Sequence, residues 1–246
     1  MRVFSFQPQH RIFFVGDSHL ESHPDPDRLK SFLELLDQVQ PGDTLVLLGD
    51  IFDFWFEYPG MVQAGHLPVL SRLSELAQGS QVLFIPGNHD IWAGRLLESF
   101  GPRVCRAGVE LTLSGEPVWA THGDMLGRRN WLGRAILGNG CLTWLYARLH
   151  PEIGIPIASW VSARSRKRSQ KLPLPTEAPD WMFATVPDGI RCVVLGHFHI
   201  PFMSESDGVA LVCVGDWITN FTYGLCQDGV MSVIRQGTGA IGEIVL

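Results

Sequence analysis

Five short blocks carry side chains of the kind that bind metals: Asp17-Ser18-His19, Gly49-Asp50, Gly87-Asn88-His89-Asp90, His122-Gly123-Asp124 and Gly196-His197-Phe198-His199. Together they offer Asp17, His19, Asp50, Asn88, His122, His197 and His199, an oxygen and imidazole set sufficient for two adjacent divalent cations. Imidazole suits Mn, Fe, Zn or Ni, and carboxylate and amide oxygens keep a harder ion such as Mn in play, so two divalent ions are expected, with Mn the first choice. Two such ions lower the pKa of a water and offset charge on phosphoryl oxygens. Each block alone is a weak signal; a lone D-x-H or H-x-H is more often a capping or hydrogen-bonded loop motif. Their number and order point to a two-metal hydrolase.

The elements that must position these blocks are strands. Apolar runs at 12–15, 45–48, 82–85 and 193–195 each precede a block, and short β-branched and aromatic runs bounded by Gly, Pro or Asp read as buried strands. In open α/β sheets, ligands bind beyond the carboxyl ends of such strands. Between them, helical spacing predicts a helix over 28–39, ended by Pro41-Gly42, and a second over 62–78. Beyond Gly101 the pattern shifts to strands at 104–113 and 117–121 and a strand-rich tail over 210–215 and 221–235, with a turn at Asp228-Gly229. Alternating strand and helix predict a layered α/β fold.

At 246 residues and 46% hydrophobic side chains, the chain can bury one large core, so 1–246 is read as one domain. Cys105, Cys141, Cys192, Cys213 and Cys226 are scattered without a C-x-x-C pair and read as small apolar fillers in a reducing compartment. Residues 1–10 carry only Arg2 and a short apolar patch, which leaves no room for a signal peptide and favours the cytoplasm.

Residues 125–171 break the rhythm. Nine basic side chains face one acid, Glu152, giving about +8 against −6 for the whole chain. The same segment is dense in large apolar residues, among them Trp131, Ile136, Trp144, Leu149, Ile157 and Trp160. This reads as an inserted helical cap. A nucleic-acid surface would explain the charge but not the aliphatic content, and the acidic remainder argues against it. Basic plus broadly apolar suits a membrane surface or a lipid. Its longest uncharged stretch, 135–147, is too short to cross a bilayer, which takes about 20 residues.

The order D-x-H, G-D-x-x-D, G-N-H-D, H-G-D, G-H-x-H resembles the calcineurin-like metallophosphoesterase family from about Arg11 to His199. That resemblance implies a two-layered β-sandwich flanked by helices, with one metal held by Asp17, His19 and His199, the other by Asn88, His122 and His197, and Asp50 between them. The runs Gly49-Asp-Ile-Phe-Asp-Phe-Trp-Phe56, Ala147-Arg-Leu-His-Pro151, Ser162-Ala-Arg-Ser-Arg166 and Gly215-Asp-Trp-Ile218 are similar to the UDP-2,3-diacylglucosamine pyrophosphohydrolase branch of that family, in which a helical cap occurs at this position. The branch implies cleavage of a lipid-linked UDP-sugar to UMP and 2,3-diacylglucosamine 1-phosphate for lipid A, at the inner face of the inner membrane, with no obligate protein partner. Better-known members carry Arg where this chain has His89; a second group carries His.

Within that chemistry His89 can donate a hydrogen bond or proton at the reacting phosphate, and Asp53, three residues after Asp50, can orient it. Arg164, Ser165, Arg166, Lys167 and Arg168 offer donors for a diphosphate, Arg suiting bidentate phosphate contacts. Two other classes compete. A soluble phosphodiesterase would need no lipid-sized cap, and a non-catalytic scaffold would be expected to lack some of the ligands.

Overall fold

Alternate side chains of the apolar runs enter two different cores, and this division makes the fold a two-sheet sandwich. The computed structural model describes residues 2–5, 11–58, 60–126, 138–169 and 177–246, with the backbone alone for 2–5, 163 and 165–169. One sheet is ordered β13 (Gly239–Val245), β12 (Val230–Arg235), β11 (Thr222–Gln227), β2 (Ile12–Val15), β3 (Thr44–Leu47), β4 (Gln81–Phe84), β5 (Arg103–Val104). The other is ordered β1 (Arg2–Ser5), β6 (Val109–Leu113), β7 (Glu116–Thr121), β8 (Cys192–Leu195), β10 (Val209–Val214), β9 (Pro201–Ser206). Ile12, Phe14, Val46 and Leu83 of the first sheet pack with Val118, Val194 and Val212 of the second in the inner core. Their neighbours Phe13, Val15, Leu45, Leu47 and Phe84 face outward, beneath the flanking helices. On the far side Val193, Leu195 and Leu211 pack with Met182 of the short helix α6 (Asp180–Phe183). This is period-2 alternation with both faces covered, as a buried parallel sheet requires.

The helices over the first sheet follow local rules. Helix α1 (Pro26–Leu36) starts earlier than its apolar spacing suggests, because Asp25 accepts the Arg28 N–H at 2.9 Å and Pro26 takes the first helical position. The helix expected over 62–78 is a single 3₁₀ turn at Ala64–His66 followed by α2 (Leu67–Leu76), with Pro68 in its first turn. The strand expected over 104–113 is two pieces: the chain bends between β5 and β6, and at Gly108 (φ 77°) a Cβ would strike the Ala120 carbonyl. Strands β1, β9 and β13 were not anticipated.

Helix α3 (Arg95–Glu98) is followed, after β7, by a helix pair, α4 (Gly140–Tyr146) and α5 (Pro151–Ser169). Asn139 caps α4 by accepting the N–H groups of Cys141 and Leu142. The pair rests on an aromatic cluster from the 54–58 loop: the Tyr146 ring lies 4.8 Å from Phe56 and 5.9 Å from Phe54, and its hydroxyl donates to the Gly154 carbonyl at 2.6 Å. A side chain at Gly154 would collide with the Tyr58 hydroxyl, so glycine permits the close approach of α5. Of the segment read as a cap, residues 127–137, with Trp131 and Ile136, and 170–171 lie outside the described residues. No helix among the described residues is long and apolar enough to cross a membrane.

Candidate metal centre

Because β2, β3 and β4 run parallel, their following loops leave one edge of the first sheet, and the parallel trio β7, β8 and β10 does the same in the second. The loops are tied by backbone hydrogen bonds: Asp17 N–H to Gly49 O at 3.0 Å, His19 N–H to Asp50 O at 2.9 Å and Gly196 N–H to His122 O at 3.0 Å. Asp17, His19, Asp50, His197 and His199 all have positive φ, between 41° and 68°. Left-handed backbone costs about 1–2 kcal/mol per L-residue. Strain of this kind gathers at functional sites when the surroundings enforce it. The glycines beside these residues leave them room: a Cβ on Gly87 would collide with the Asp50 carboxylate, and one on Gly196 with that of Asp17.

Donor atoms of Asp17, His19 and His199 lie within 4.8 Å of one another, as do those of Asp50, His122 and His197, and those of His19, Asp53 and His89. Asp50 Oδ2 is the hub, 3.8 Å from His19 Nε2, 3.5 Å from His122 Nε2 and 4.0 Å from His89 Nε2. Asn88 is half-buried in the same turn as His89. Asp17 Oδ2 accepts the His197 N–H at 2.6 Å, while its buried Oδ1 accepts no hydrogen bond among the described residues. His122 Nδ1 faces the Leu48 carbonyl at 2.8 Å, which assigns a proton to Nδ1 and turns Nε2 toward Asp50. The buried Asp17 Oδ1, and the His122 Nε2 that faces the Asp50 carboxylate, each lack a hydrogen-bond partner among the described residues and fit divalent cations.

The electrostatics agree. Burial acts to raise the pKa of Asp50, but the facing His122, His89 and His19 outweigh it and hold the carboxyl well below the ordinary range. Burial pushes His197 down to about 3, reinforced by His122, so it is neutral at pH 7. For His122, burial opposes the charged form, yet Asp50 and its neighbours drive the pKa up to about 10. Asp50 thus favours the charged form of His122, and a cation binding there would compete with that proton.

Three partners of this cluster were not singled out from the sequence. Asp216, after β10, places Oδ2 3.5 Å from His199 Nδ1 and accepts the N–H groups of Thr219 and Asn220 at 3.0 and 2.8 Å. Asp90 accepts from Gly87 N–H at 2.7 Å and Ile51 N–H at 2.9 Å, joining the loops after β3 and β4. Ser162, buried on α5, reaches Asp53 and His89. Gly215-Asp216 and Ser162 stand in the runs that carried the resemblance, but neither has a spacing that announces a role. Asp53 meets His89 through its backbone: His89 Nδ1 is 2.8 Å from the Asp53 carbonyl and 3.7 Å from its carboxylate. Its carboxylate is also 3.6 Å from His19 Nδ1.

Arg164 is not brought to the cluster. It is exposed, 5.8 Å from the Trp160 ring centre, two residues and half a helical turn from Ser162. The side chains of Ser165, Arg166, Lys167 and Arg168 lie outside the described residues. All five cysteines are free, four of them buried.

A family model described as calcineurin-like phosphoesterase matches residues 10–228. The chain is similar to a UDP-2,3-diacylglucosamine hydrolase of Porphyromonas gingivalis, 28% identical over 92% of this chain and 97% of the relative. Proteins of the same name in Shewanella pealeana and Pseudomonas paraeruginosa are each 29% identical, covering 89% and 84% of this chain and 96% and 90% of theirs. Among solved structures, a phosphoesterase from E. coli aligns over 96% of this chain and 98% of its own, with a TM-score of 0.53 at 17% identity.

Proposed function

The chain belongs to the calcineurin-like phosphoesterase family, and from that membership we propose that it hydrolyses the diphosphate of UDP-2,3-diacylglucosamine to UMP and 2,3-diacylglucosamine 1-phosphate, in lipid A synthesis. The observation that carries this reading is the attachment of an outward-facing apolar helix pair to the ligand cluster. Along α5, Ile153, Ile157, Trp160 and Val161 are exposed on one stripe, while Ile155, Ala158 and Ser162 face inward. Leu142, Leu145 and Leu149 extend the exposed apolar surface. So much exposed apolar side chain beside a polar site fits acyl chains or a lipid surface rather than a small water-soluble ester.

We read residues 125–171 as a cap that holds the lipid, and the apolar stripe with Arg148 and Arg164 as the face turned to the inner surface of the inner membrane. Arg148 stacks 4.0 Å over Trp144, an aromatic and cationic pairing that suits a headgroup boundary. Ser165, Arg166, Lys167 and Arg168 are our assignment for diphosphate contacts, and Arg164, which the sequence also offered, goes to the outer face instead.

Asp17, His19 and His199 would hold one divalent ion and Asn88, His122 and His197 the second, with Asp50 between; manganese is our first choice. Bound there, the ions lower the pKa of water and offset phosphoryl charge. The chain's own groups do the rest. Leu48 and Asp216 fix the tautomers of His122 and His199. His89 has its Nδ1 anchored and its Nε2 toward Asp50, so it donates to a phosphoryl oxygen only as the doubly protonated ring. The test is incubation of the manganese-loaded enzyme with UDP-2,3-diacylglucosamine and chromatography of the products. UMP and the lipid phosphate are expected, and faster turnover of a soluble nucleotide diester would overturn the substrate assignment.

A further inference from the structure

We infer that Ser162 is a positioning residue that aligns His89 only when the helix pair α4–α5 is docked on the sandwich. The inference rests on the phosphoesterase reading above, with His89 acting at the phosphate. Ser162 is 6% exposed, although it sits on a helix whose opposite face is open. Its Oγ lies 2.7 Å from Asp53 Oδ1, 3.2 Å from the Asp53 carbonyl and 2.8 Å from His89 Nδ1. A serine has one proton, and the carboxylate is the strongest acceptor in reach, so Oγ–H points to Asp53 Oδ1. His89 Nδ1 then donates, shared between Ser162 Oγ and the Asp53 carbonyl, also 2.8 Å away. Two acceptors from different elements fix the plane of the imidazole; one alone leaves it able to turn.

The geometry makes this alignment conditional. Asp53 belongs to the loop after β3, but Ser162 arrives from α5, whose seat is the Tyr146 ring among Phe54, Phe56 and Trp92 and the close approach at Gly154. If α5 lifts, His89 loses one acceptor and Asp53 loses one donor. The helix pair is thus more than a lipid surface: it completes the site at the reacting centre. Two other roles for Ser162 are distinguishable, a direct contact with substrate or a purely structural bond to Asp53.

The experiment uses the full chain and bis-p-nitrophenyl phosphate, too small to need the apolar stripe. Metal-dependent hydrolysis by the wild type comes first; its failure would count against the phosphoesterase reading. Ser162→Ala, shown folded by thermal melting, is expected to lower kcat roughly 10- to 100-fold, the scale of a misplaced catalytic group, with KM within about twofold. Added to His89→Ala, it should change kcat by less than about twofold, since the two act as one unit. Tyr146→Leu, remote from the cluster, should lower kcat in the same way by unseating α5. A raised KM with unchanged kcat, additive losses in the double variant, or full kcat in folded Ser162→Ala would each overturn the inference. Nitrogen-15 histidine spectra of the zinc-loaded wild type give a readout apart from turnover. A slowly exchanging His89 Nδ1–H resonance is expected there and broadened in Ser162→Ala, and its absence from the wild type would overturn the inference even if every variant misfolded.

Discussion

Replacing Asp216 by Asn tests whether the centre is tuned by residues that touch no metal. The substitution keeps an amide oxygen for the N–H groups of Thr219 and Asn220, so the loop after β10 keeps its turn. What it removes is the negative charge 3.5 Å from His199 Nδ1. Burial acts against a charged His199, but Asp17 and Asp216 raise its pKa, and the same field makes Nε2 a better donor to a cation. Loss of such a partner lowers metal affinity about 10- to 100-fold, which corresponds to about 1.4–2.7 kcal/mol. Calorimetric titration of the metal-free protein with Mn²⁺ reads this directly. The class of sites built on Asp17, His19 and His199 should weaken while the class built on Asp50, His122 and His197 stays within a factor of a few. Equal weakening of both, or of neither, would refute the argument that Asp216 acts through His199.

Asp50→Asn and His122→Ala should each abolish hydrolysis while thermal melting stays cooperative; turnover within tenfold of wild type in either would sink the two-metal reading. Hydrolysis in oxygen-18 water should place the label in UMP, and label in the lipid phosphate would mean the opposite orientation of the diphosphate. His66 gives a pH prediction: it is buried between Phe52 and Trp55, and burial pushes its pKa down to about 4 from 6.5. The unfolded chain therefore takes the proton first, so the contribution of His66 is complete above pH 6.5, falls between 6.5 and 4 and is flat below. The shift corresponds to about 3 kcal/mol. Denaturant unfolding of wild type and His66→Gln across pH 4–7 should show the difference shrinking as pH falls, and parallel profiles would refute it. Leu149→Ala and Ile157→Ala, on the open face, should lower efficiency on the acylated substrate roughly tenfold where the contact is well packed and leave the small diester unchanged; equal loss on both substrates would make the stripe structural.

What the sequence made legible was the part governed by local rules. Four of the five ligand blocks follow a short apolar run that is almost wholly buried, so the strand type before Asp17, Asp50, Asn88 and His197 is legible in composition. By contrast, β7, which feeds His122, begins with Glu116-Pro117 and is only half buried. The seven residues we assign to two metals stand in short blocks whose spacing is visible without any fold. Strand β1 pairs in parallel with β6, more than a hundred residues away, which leaves no local mark, and β13 is an edge strand of mostly exposed residues, whose composition hides it despite the Gly237-Thr238-Gly239 turn before it. The break between β5 and β6 depends on a carbonyl of β7 that a Cβ at Gly108 would strike, again a contact distant in sequence.

Ser162 shows the same limit at the site. On the chain it is one serine in a basic run, and charge counting passes over it in favour of Arg164, the more conspicuous phosphate donor. Helical periodicity separates the two: with 100° per residue, Arg164 stands about 200° round from Ser162, so a helix that seats one against the sandwich must turn the other outward. The seat is chosen by Gly154, a little over two turns of helix away, and by Tyr146 beyond a loop, because that face lets α5 approach Tyr58. Placing the segment we read as lipid-binding and the residue we infer to hold His89 on one helix would have a physical consequence. If a substrate held at the ligand cluster reaches the outer stripe of α5 with its acyl chains only while the helix is docked, that binding would favour the docked helix, which brings Ser162 to His89. A substrate lacking those chains would give up that contribution and meet a centre whose alignment depends on the aromatic seat alone; on this reading remote binding energy would reach the reacting phosphate by way of Ser162 and His89.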